Sequence, residues 1–327
     1  MKILQRITTG FALVLCSAAA FQAKAQDTYP NKPIRMIVPF APGGVADLVG
    51  RVVAEQFQTK LNAKVVVENK AGGTGLIGTK EVLTADPDGY TLLIGTLATM
   101  IATPASNPNA GFDPQKDVTP LSIPASYPLF LLVNPSTPVN TPTELVALAK
   151  SKNQGLTFGS AGPSALNALT AEFFARENGI KLVNVPFRGG PAASTALIQK
   201  EIDMLFEGVP AVKGLLEGKT LKPLAITSKS RLKDYPEVPT MIESGFPSMN
   251  IDGWVGLFGP KGMPDTVRKK IDQVLADMAK DPAVAAKFTA IGFEAFPEQA
   301  RDTARYYNDE VVRWQGVLKN IPTEQAR

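Results

Sequence analysis

The stretch that most constrains the fold is residues 34–47, where an apolar run rich in β-branched side chains leads into Pro42, Gly43 and Gly44. A short apolar run followed by such a turn is typical of a buried strand. After the turn, apolar residues recur at helical spacing, at Leu48, Val49, Val52, Val53 and Phe57. The first amides of that helix lack acceptors and carry partial positive charge. The segment therefore predicts a docking site for a ligand carboxylate that needs no basic side chain.

Residues 1–25 have the pattern of a secretory signal that is cleaved before Gln26. Basic residues precede the apolar run 7–21, and Ala-Lys-Ala at 23–25 places small residues where signal peptidase requires them. A membrane anchor is the alternative, but the uncharged run is shorter than the roughly 20 residues that a span needs. We therefore expect a mature chain that is exported to the periplasm.

Removal of the signal changes the charge balance of the chain. The signal holds three basic residues and no acidic one, so 31 basic residues face 30 acidic ones, a mature net charge of about +1. Such a surface gives no electrostatic footprint for nucleic acid or an anionic membrane. The chain has no His, and its one Cys, Cys16, lies in the signal. The mature protein thus lacks disulfides, imidazole or thiolate metal sites, and Ser-His-Asp or Cys-His catalysis, and we expect no cofactor and no metal.

Short apolar runs alternate with helix-like runs along the mature chain. The predicted strands after the first are residues 65–68, 91–95, 130–133, 156–159, 182–186, 204–207 and 224–227. The predicted helices are residues 45–60, 76–85, 143–151, 165–178, 193–199 and 209–216, followed by a helical tail at 267–279, 283–291 and 297–318. This alternation predicts the α/β class, with open sheets that bind ligands at the carboxyl ends of their strands. About 300 residues normally divide into two lobes.

Residues 73–78 match the dinucleotide-binding fingerprint Gly-x-Gly-x-x-Gly and follow the strand at 65–67. The fingerprint needs an acidic residue at the end of the next strand to bind the ribose, but that strand ends in Gly95 and Thr96. The two aspartates in the Asp-Pro-Asp-Gly turn at 86–89 come too early. We interpret the glycines as a turn and helix start that pack against the first lobe, with ligand contact as the alternative.

Several motifs follow one another in the order typical of one protein family. They are Tyr-Pro-x-Lys-Pro-Ile-Arg at 29–35, Val-Pro-Phe-x-Pro-Gly-Gly-x-x-Asp at 38–47, Val-Val-Val-Glu-Asn at 65–69, Gly-x-Ile-Gly at 75–78, Pro-Asp-Gly-Tyr-Thr-Leu-Leu at 87–93, Phe-Gly-Ser-Ala-Gly at 158–162, Val-Pro-Phe-Arg-Gly at 185–189, Leu-Ala-Ile-Thr-Ser at 224–228 and Val-Pro-Thr at 238–240. Together they resemble the Bug family, the substrate-binding proteins of tripartite tricarboxylate transporters. The resemblance covers essentially the whole mature chain.

The resemblance implies a two-lobed periplasmic binding protein of the type II, Venus flytrap class. Lobe one would comprise residues 26–125 and 252–327, and lobe two residues 126–251. The strand at 130–133 would carry the chain across, and residues 254–258 would bring it back. Two crossings make a hinge that closes the lobes around a small molecule.

The resemblance also implies a monomer that captures a small carboxylate and delivers it to membrane permease subunits of a tripartite tricarboxylate transporter. Presentation of the closed form to a membrane signalling protein is the alternative. An enzyme would need a nucleophile or an acid–base pair, and no Ser-x-x-Lys or paired-carboxylate site is evident.

In lobe one, the family's ligand loop matches Phe40, Ala41, Gly43, Gly44 and Ala46. Asp47 would oppose a ligand anion, so we expect it to hold the loop through backbone amides, with contact to a ligand amine or hydroxyl as the alternative. The hydroxyl of Thr96 either donates to a ligand carboxylate or caps the next helix.

In lobe two, a small-residue loop before an amphipathic helix repeats the logic of the first lobe, and its candidates are Ser160, Ala161, Gly162 and Ser164. Many family members carry Gly-Asn-Gly-Ser and then His here, whereas this chain has Gly-Pro-Ser and Asn167. Arg188 is a candidate ligand contact or a solvated rim charge. Glu207 either accepts from a ligand hydroxyl or ammonium, or joins the lobes by a hydrogen bond.

The two helix starts predict a ligand with a carboxylate at one end and a polar group at the other. Aromatic dicarboxylates, citrate-like acids and nicotinate-like monocarboxylates all fit, and a diacid is our hypothesis. Because the chain has no His, we expect the affinity to be nearly flat between about pH 6 and pH 8.

Overall fold

The computed structural model describes residues 29–107, 109–162 and 164–318, so the predicted signal at 1–25 lies outside the described residues. The strands are β1 (Ile34–Val38), β2 (Val65–Asn69), β3 (Thr91–Thr96), β4 (Val118–Val133), β5 (Leu156–Ser160), β6 (Leu182–Pro186), β7 (Met204–Gly208), β8 (Lys222–Ile226), β9 (Asp252–Pro260) and β10 (Glu294–Ala295). Every predicted strand is present, which confirms the alternation of sequence patterns.

The helices also follow the predicted runs, with small shifts at their ends. They are α1 (Val45–Leu61), α2 (Leu76–Leu83), α3 (Thr103–Ser106), α4 (Pro142–Ser151), α5 (Leu166–Asn178), α6 (Gly190–Ile198), α7 (Val209–Glu217), α8 (Asp265–Ala279), α9 (Pro282–Ala290) and α10 (Thr303–Leu318). In the described part of the chain, 3-10 turns occur at Gly73–Gly75, Pro247–Met249 and Glu298–Ala300, and a π-helical turn at Ala98–Ala102 precedes α3. Within the described ranges, no helix combines the length and apolarity that a membrane crossing requires.

The long strand β4 belongs to two groups of strands, which we call the first and second lobes. Residues 118–128 of β4 pair with β9, and residues 125 and 126 also pair with β10. From residue 129 onward β4 pairs with β7 on one side and β8 on the other. The first lobe adds β3, β1 and β2 beyond β9, and the second adds β5 and β6 beyond β7.

The strand directions make the carboxyl edges of the two lobes face each other. Strands β1, β2 and β3 are parallel, β3 is antiparallel to β9, and β9 is antiparallel to β4. Strand β4 therefore leaves the first lobe at the edge where β1, β2 and β3 end. In the second lobe β7 runs antiparallel to β4, and β5 and β6 run parallel to β7. Their carboxyl ends thus point back toward the first lobe, where ligands of open α/β sheets bind.

The two crossings between the lobes lie side by side. Pro128 is the last residue of β4 that pairs with β9, and its partner Asp252 is the first residue of β9. Leu129, the next residue of β4, already pairs with β7. Thr227 lies between the two crossings: its Oγ1 accepts from the amide of Leu129 at 2.9 Å, and its carbonyl accepts from the amide of Ile251 at 3.3 Å. The predicted crossings at 130–133 and 254–258 are therefore displaced by a few residues, because those segments lie inside the two sheets. An apolar run in the sequence indicates that a strand is buried, but it does not indicate where that strand changes from one partner strand to another.

A hydrophobic core continues across both lobes beneath α10. It joins Met100 of the first lobe with Phe206 of the second, and α10 contributes Tyr307 and Trp314. The indole N–H of Trp314 donates to Oε2 of the buried Glu310 at 3.2 Å, and Trp254 of β9 donates to the same oxygen at 3.2 Å. Helix α10 thus packs against residues of both lobes near the crossing strands.

Candidate ligand-binding cleft

The first-lobe loop connects β1 to α1 as the sequence predicts. Gly43 has a φ of +84°, which favours glycine because other residues are strained there. Gly44 is the N-cap of α1, and residues 41–44 of the loop are exposed. The first three amides of α1 have no acceptor within the helix. The helix begins beyond the carboxyl end of β1, at the edge of the first lobe that faces the second. The loop thus has the geometry of an anion site.

Asp47 holds this loop in place. It is 2% exposed, and its Oδ2 accepts from the amide of Gly43 and from Nε of Arg51, both at 2.9 Å. Burial alone raises the pKa of Asp47, but the hydrogen bonds from Arg51, Gly43 and Asn69 outweigh it and hold the pKa below its usual value. The expected bond between Asp47 and a loop amide is present. The amide of Gly43 is consequently committed to Asp47, so ligand donors on this loop must come from the helix start.

Asn69 of β2 also supports this loop and was not predicted from the sequence. Its Nδ2 donates to the carbonyl of Phe40 and to Oδ1 of Asp47, both at 3.0 Å. Asn69 ends β2, and a polar residue at the carboxyl end of a parallel strand was the available signal. The partly buried ring of Phe40 packs against the core beneath α1, beside the buried Ala46.

Thr96 takes the capping role of the two that were predicted. The amide of Thr99 donates to Oγ1 of Thr96 at 3.4 Å, and the amide of Thr96 donates to Oγ1 of Thr99 at 2.9 Å. These bonds close the start of the π-helical turn after β3. A contact between Thr96 and ligand stays a prediction.

The glycines at 73–78 pack against the first-lobe loop. A Cβ at Gly78 would lie 3.1 Å from the Cα of Pro39, and a Cβ at Gly75 would collide with the methyl group of Thr99. The motif therefore allows α2 to approach the end of β1 closely. This agrees with the interpretation of these glycines as a turn and helix start that pack within the first lobe.

The second-lobe loop is held from below by side-chain hydrogen bonds. Ser160 is fully buried; its hydroxyl donates to Oδ1 of Asn184 at 2.8 Å and accepts from the amide of Gly162 at 3.2 Å. Oδ1 of Asn167 accepts from the amide of Ala161 at 3.2 Å. The hydroxyl proton of Ser160 is thus used in a hydrogen bond within the second lobe. In this conformation Ser160, a predicted ligand contact, stabilises the loop.

The lobes touch each other directly. Ser164 Oγ lies 3.2 Å from the Oγ of Ser106, which ends α3 in the first lobe. On the side of β10, a Cβ at Gly292 would lie 3.2 Å from the Cα of Pro210 at the start of α7. Ser164, predicted as a ligand contact, therefore lies at the contact between the lobes.

Glu207 lies where three helices of the second lobe begin. Its Oε1 accepts from the amide of Gly208 at 2.9 Å, and its Oε2 accepts from Nδ2 of Asn167 at 3.4 Å. A Cβ at Gly190 would collide with Oε2, so the carboxylate lies directly on the start of α6. Burial raises the pKa of Glu207 to about 7, more than the hydrogen bonds from Gly208 and Asn167 lower it. The expectation of an affinity that is flat from pH 6 to pH 8 depended on the absence of His and did not include this carboxyl group. The pH dependence of the affinity stays a prediction.

Tyr127 forms the floor between the lobes and was not predicted from the sequence. Its ring lies on two glycines: a Cβ at Gly208 would be 2.8 Å from its Cδ2, and one at Gly253 would collide with its Cζ. Burial and the neighbouring Glu207 raise the pKa of Tyr127. An aromatic residue just before the crossing was the available signal.

Arg188 is exposed between β6 and α6. Among the residues that the structure describes, it forms no ion pair, so its guanidinium remains available at the rim. A ligand contact by Arg188 stays a prediction.

Comparison with known proteins identifies the family. A family model described as "Tripartite tricarboxylate transporter family receptor" matches residues 49–322. The chain belongs to this receptor family. The predicted Bug resemblance and the two-lobed α/β binding-protein fold are thereby confirmed. The family comprises solute-binding receptors, and similar proteins have been solved with the carboxylates adipate and malate.

Three relatives illustrate the similarity of this receptor to known proteins. BugT of Bordetella pertussis is 31% identical over 318 residues, which cover 96% of this chain and 97% of BugT. Rpa4515 of R. palustris, solved with adipate, is 27% identical with a TM-score of 0.81, covering 89% of this chain and 98% of that one. MatC of Rhodopseudomonas palustris, solved with bound malate, is 27% identical with a TM-score of 0.79, covering 89% of this chain and 100% of that one.

Proposed function

We propose that the receptor captures a small carboxylic acid in the periplasm and delivers it to the permease of a tripartite tricarboxylate transporter. The facing carboxyl edges carry this proposal, since they bring the Asp47-held start of α1 opposite the second-lobe loop. The solved adipate-bound and malate-bound relatives support a carboxylate as the ligand class. Family membership supports binding rather than catalysis.

The proposed binding site comprises the thirteen predicted residues, in roles that the geometry refines. Amides at the start of α1 receive the ligand carboxylate, and Asp47 and Asn69 keep the loop in position. The second lobe contributes its loop at 160–164, Arg188 and Glu207. We further propose that the lobes comprise residues 26–125 with 252–327 and residues 126–251, and that the mature chain acts as a monomer.

A thermal-shift screen of residues 26–327 tests the proposal. Ligands are aliphatic and aromatic carboxylic acids, with sugars and the corresponding neutral amides as controls. A ligand that binds the native state at a hundredfold excess over its dissociation constant stabilises it by about 2.7 kcal/mol. We expect stabilisation by carboxylic acids alone. Stabilisation by the neutral amides to the same extent would refute the anion site.

Delivery needs a separate measurement in cells. Uptake of the acid identified in the screen is compared between cells that have the receptor and cells that lack it. We expect uptake to require both the receptor and the permease. Uptake that is unchanged without the receptor, together with altered gene expression, would indicate a signalling role.

A further inference from the structure

The second lobe presents a negative group where the far end of a bound acid would lie. Glu207 is the penultimate residue of β7, at the edge that faces the first lobe. Across the cleft, the start of α1 is suited to one ligand carboxylate. The distal end of the ligand therefore meets a carboxyl group, which an ionised second carboxylate would not tolerate without a change in protonation.

The position of Glu207 is imposed by its surroundings. Its two oxygens accept from the Gly208 amide and from Asn167. Oε2 also lies so close to Gly190 that any side chain at that position would collide with it. Among the described residues these groups on α5, α6 and the start of α7 are uncharged, and Tyr127 of β4 is the titratable group placed against the carboxyl. No cation of the described residues neutralises Glu207, which leaves that task to a ligand or a proton.

We propose that Glu207 makes the cleft select carboxylic acids whose far end carries a hydrogen-bond donor, a hydroxyl or an ammonium group, over acids that end in a second carboxylate. This inference rests on the proposed function, because it assumes that the other end of the ligand binds at α1. It replaces the diacid hypothesis drawn from the sequence.

Protonation of Glu207 supplies the exception to this preference. The pKa of Glu207 is raised to about 7 by burial, so the carboxyl is mostly neutral at pH 6 and mostly ionised at pH 8.5. The neutral form donates a hydrogen bond to a ligand carboxylate, and the ionised form repels that carboxylate. Dicarboxylates should therefore bind at pH 6 and lose affinity as the pH rises, whereas hydroxy acids gain or hold theirs.

Matched ligands of equal length test the proposal by isothermal titration calorimetry. The five-carbon set is glutarate, 5-hydroxypentanoate, 5-aminopentanoate and pentanoate, and four- and six-carbon sets cover other spans. At pH 8.5 we expect the best hydroxy or amino acid to bind about tenfold or more tightly than the diacid of the same length, as for a hydrogen bond to a charged acceptor. The affinities of the hydroxy and the amino acid show which of the two donors the cleft prefers. Diacid affinity should fall about tenfold between pH 6 and pH 8.5.

Two variants separate the role of Glu207 from general damage. Glu207→Gln keeps the shape and removes the titration, so the preference should fall below about threefold and diacid affinity should no longer change with pH. Gly190→Ala displaces the carboxylate without changing any charge and should weaken the preferred ligand. Glu201→Gln, an exposed residue before β7, is the control and should behave as the unaltered protein.

The outcomes distinguish the two proposals. If no acid of the panel binds the unaltered protein, the proposed function itself fails. If acids bind but the preference and its pH dependence are the same in Glu207→Gln, or a diacid binds most tightly at pH 8.5, Glu207 does not select the ligand and this inference is overturned. If Glu207→Gln does not fold, the same preference in Gly190→Ala overturns it.

Discussion

We expect Asp252, at the crossing between the lobes, to destabilise the native protein at neutral pH. Its Oδ1 is buried and has no hydrogen-bond partner among the described residues. Burial, with repulsion from Glu294 and Glu310, raises the pKa of Asp252 from 3.8 to about 7, although the nearby Arg313 opposes the shift. The folded protein therefore binds a proton that the unfolded chain has released.

The sign and size of the effect follow from proton linkage. Because the folded pKa exceeds the unfolded one, the free energy of unfolding is highest below about pH 4 and falls as the pH rises to about 7. A shift of about three pKa units corresponds to roughly 4 kcal/mol at most, since each unit is worth 1.36 kcal/mol. Asp252→Asn removes the titration and keeps the volume. We expect the variant to be more stable than the unaltered protein at pH 8 by about 2–4 kcal/mol and equal to it at pH 4.

Urea denaturation followed by tryptophan fluorescence measures this difference. Both tryptophans of the chain, Trp254 and Trp314, are about 1% exposed, so unfolding changes their emission. Stability is determined at pH 4, 6, 7 and 8 for the unaltered protein, for Asp252→Asn and for Asp309→Asn, an exposed control on α10. A stability difference that does not change with pH, or a variant that is less stable at pH 8, would refute the argument.

Two further substitutions test the loop and the core. Asn69→Ala should cost about 1–3 kcal/mol of stability, because it removes the hydrogen bonds to the Phe40 carbonyl and to Oδ1 of Asp47, which then keeps only its bond from Arg51. It should also weaken carboxylate binding about tenfold, and urea denaturation and calorimetry measure the two effects. Unchanged affinity would show that the loop needs no such support. Glu310→Ala should cost about 3–5 kcal/mol of stability in the same denaturation assay, because two buried indole N–H groups lose their acceptor. Glu310→Gln keeps an acceptor oxygen and should cost clearly less. Equal losses of stability in the two variants would contradict the hydrogen-bond account.

The alternating elements and the first-lobe loop were predictable because their signals are local. The run at 34–38, the glycine turn and the apolar spacing of α1 each depend on neighbours within a few residues, and the structure has them where they were expected. The role of Asp47 was predictable for the same reason, since a carboxylate four residues after Gly43 reaches back to its amide. Chain order alone also identified the family.

The partners of the other site residues were not predictable from local pattern. Ser160 and Asn184 lie on neighbouring strands, so the commitment of the serine proton depends on the register between β5 and β6. Ser164 reaches Ser106 only because two distant segments meet at the edge between the lobes. The strand at 118–129 was missed because its Pro and Ser residues interrupt the apolar pattern, and pairing with β9 overrides that signal.

The sequence by itself determined the α/β class, the order of elements, the glycine turn before α1 and the receptor family, because each depends on short-range pattern or on motif order. Only the tertiary structure decided where the chain crosses between the lobes, and which polar groups are already satisfied. It also decided that burial raises the pKa of Glu207 and of Asp252 to about 7, in a chain without histidine. The physical reason is that a pKa and a hydrogen bond depend on burial and on groups that are close in space, and those neighbours come from distant parts of the chain.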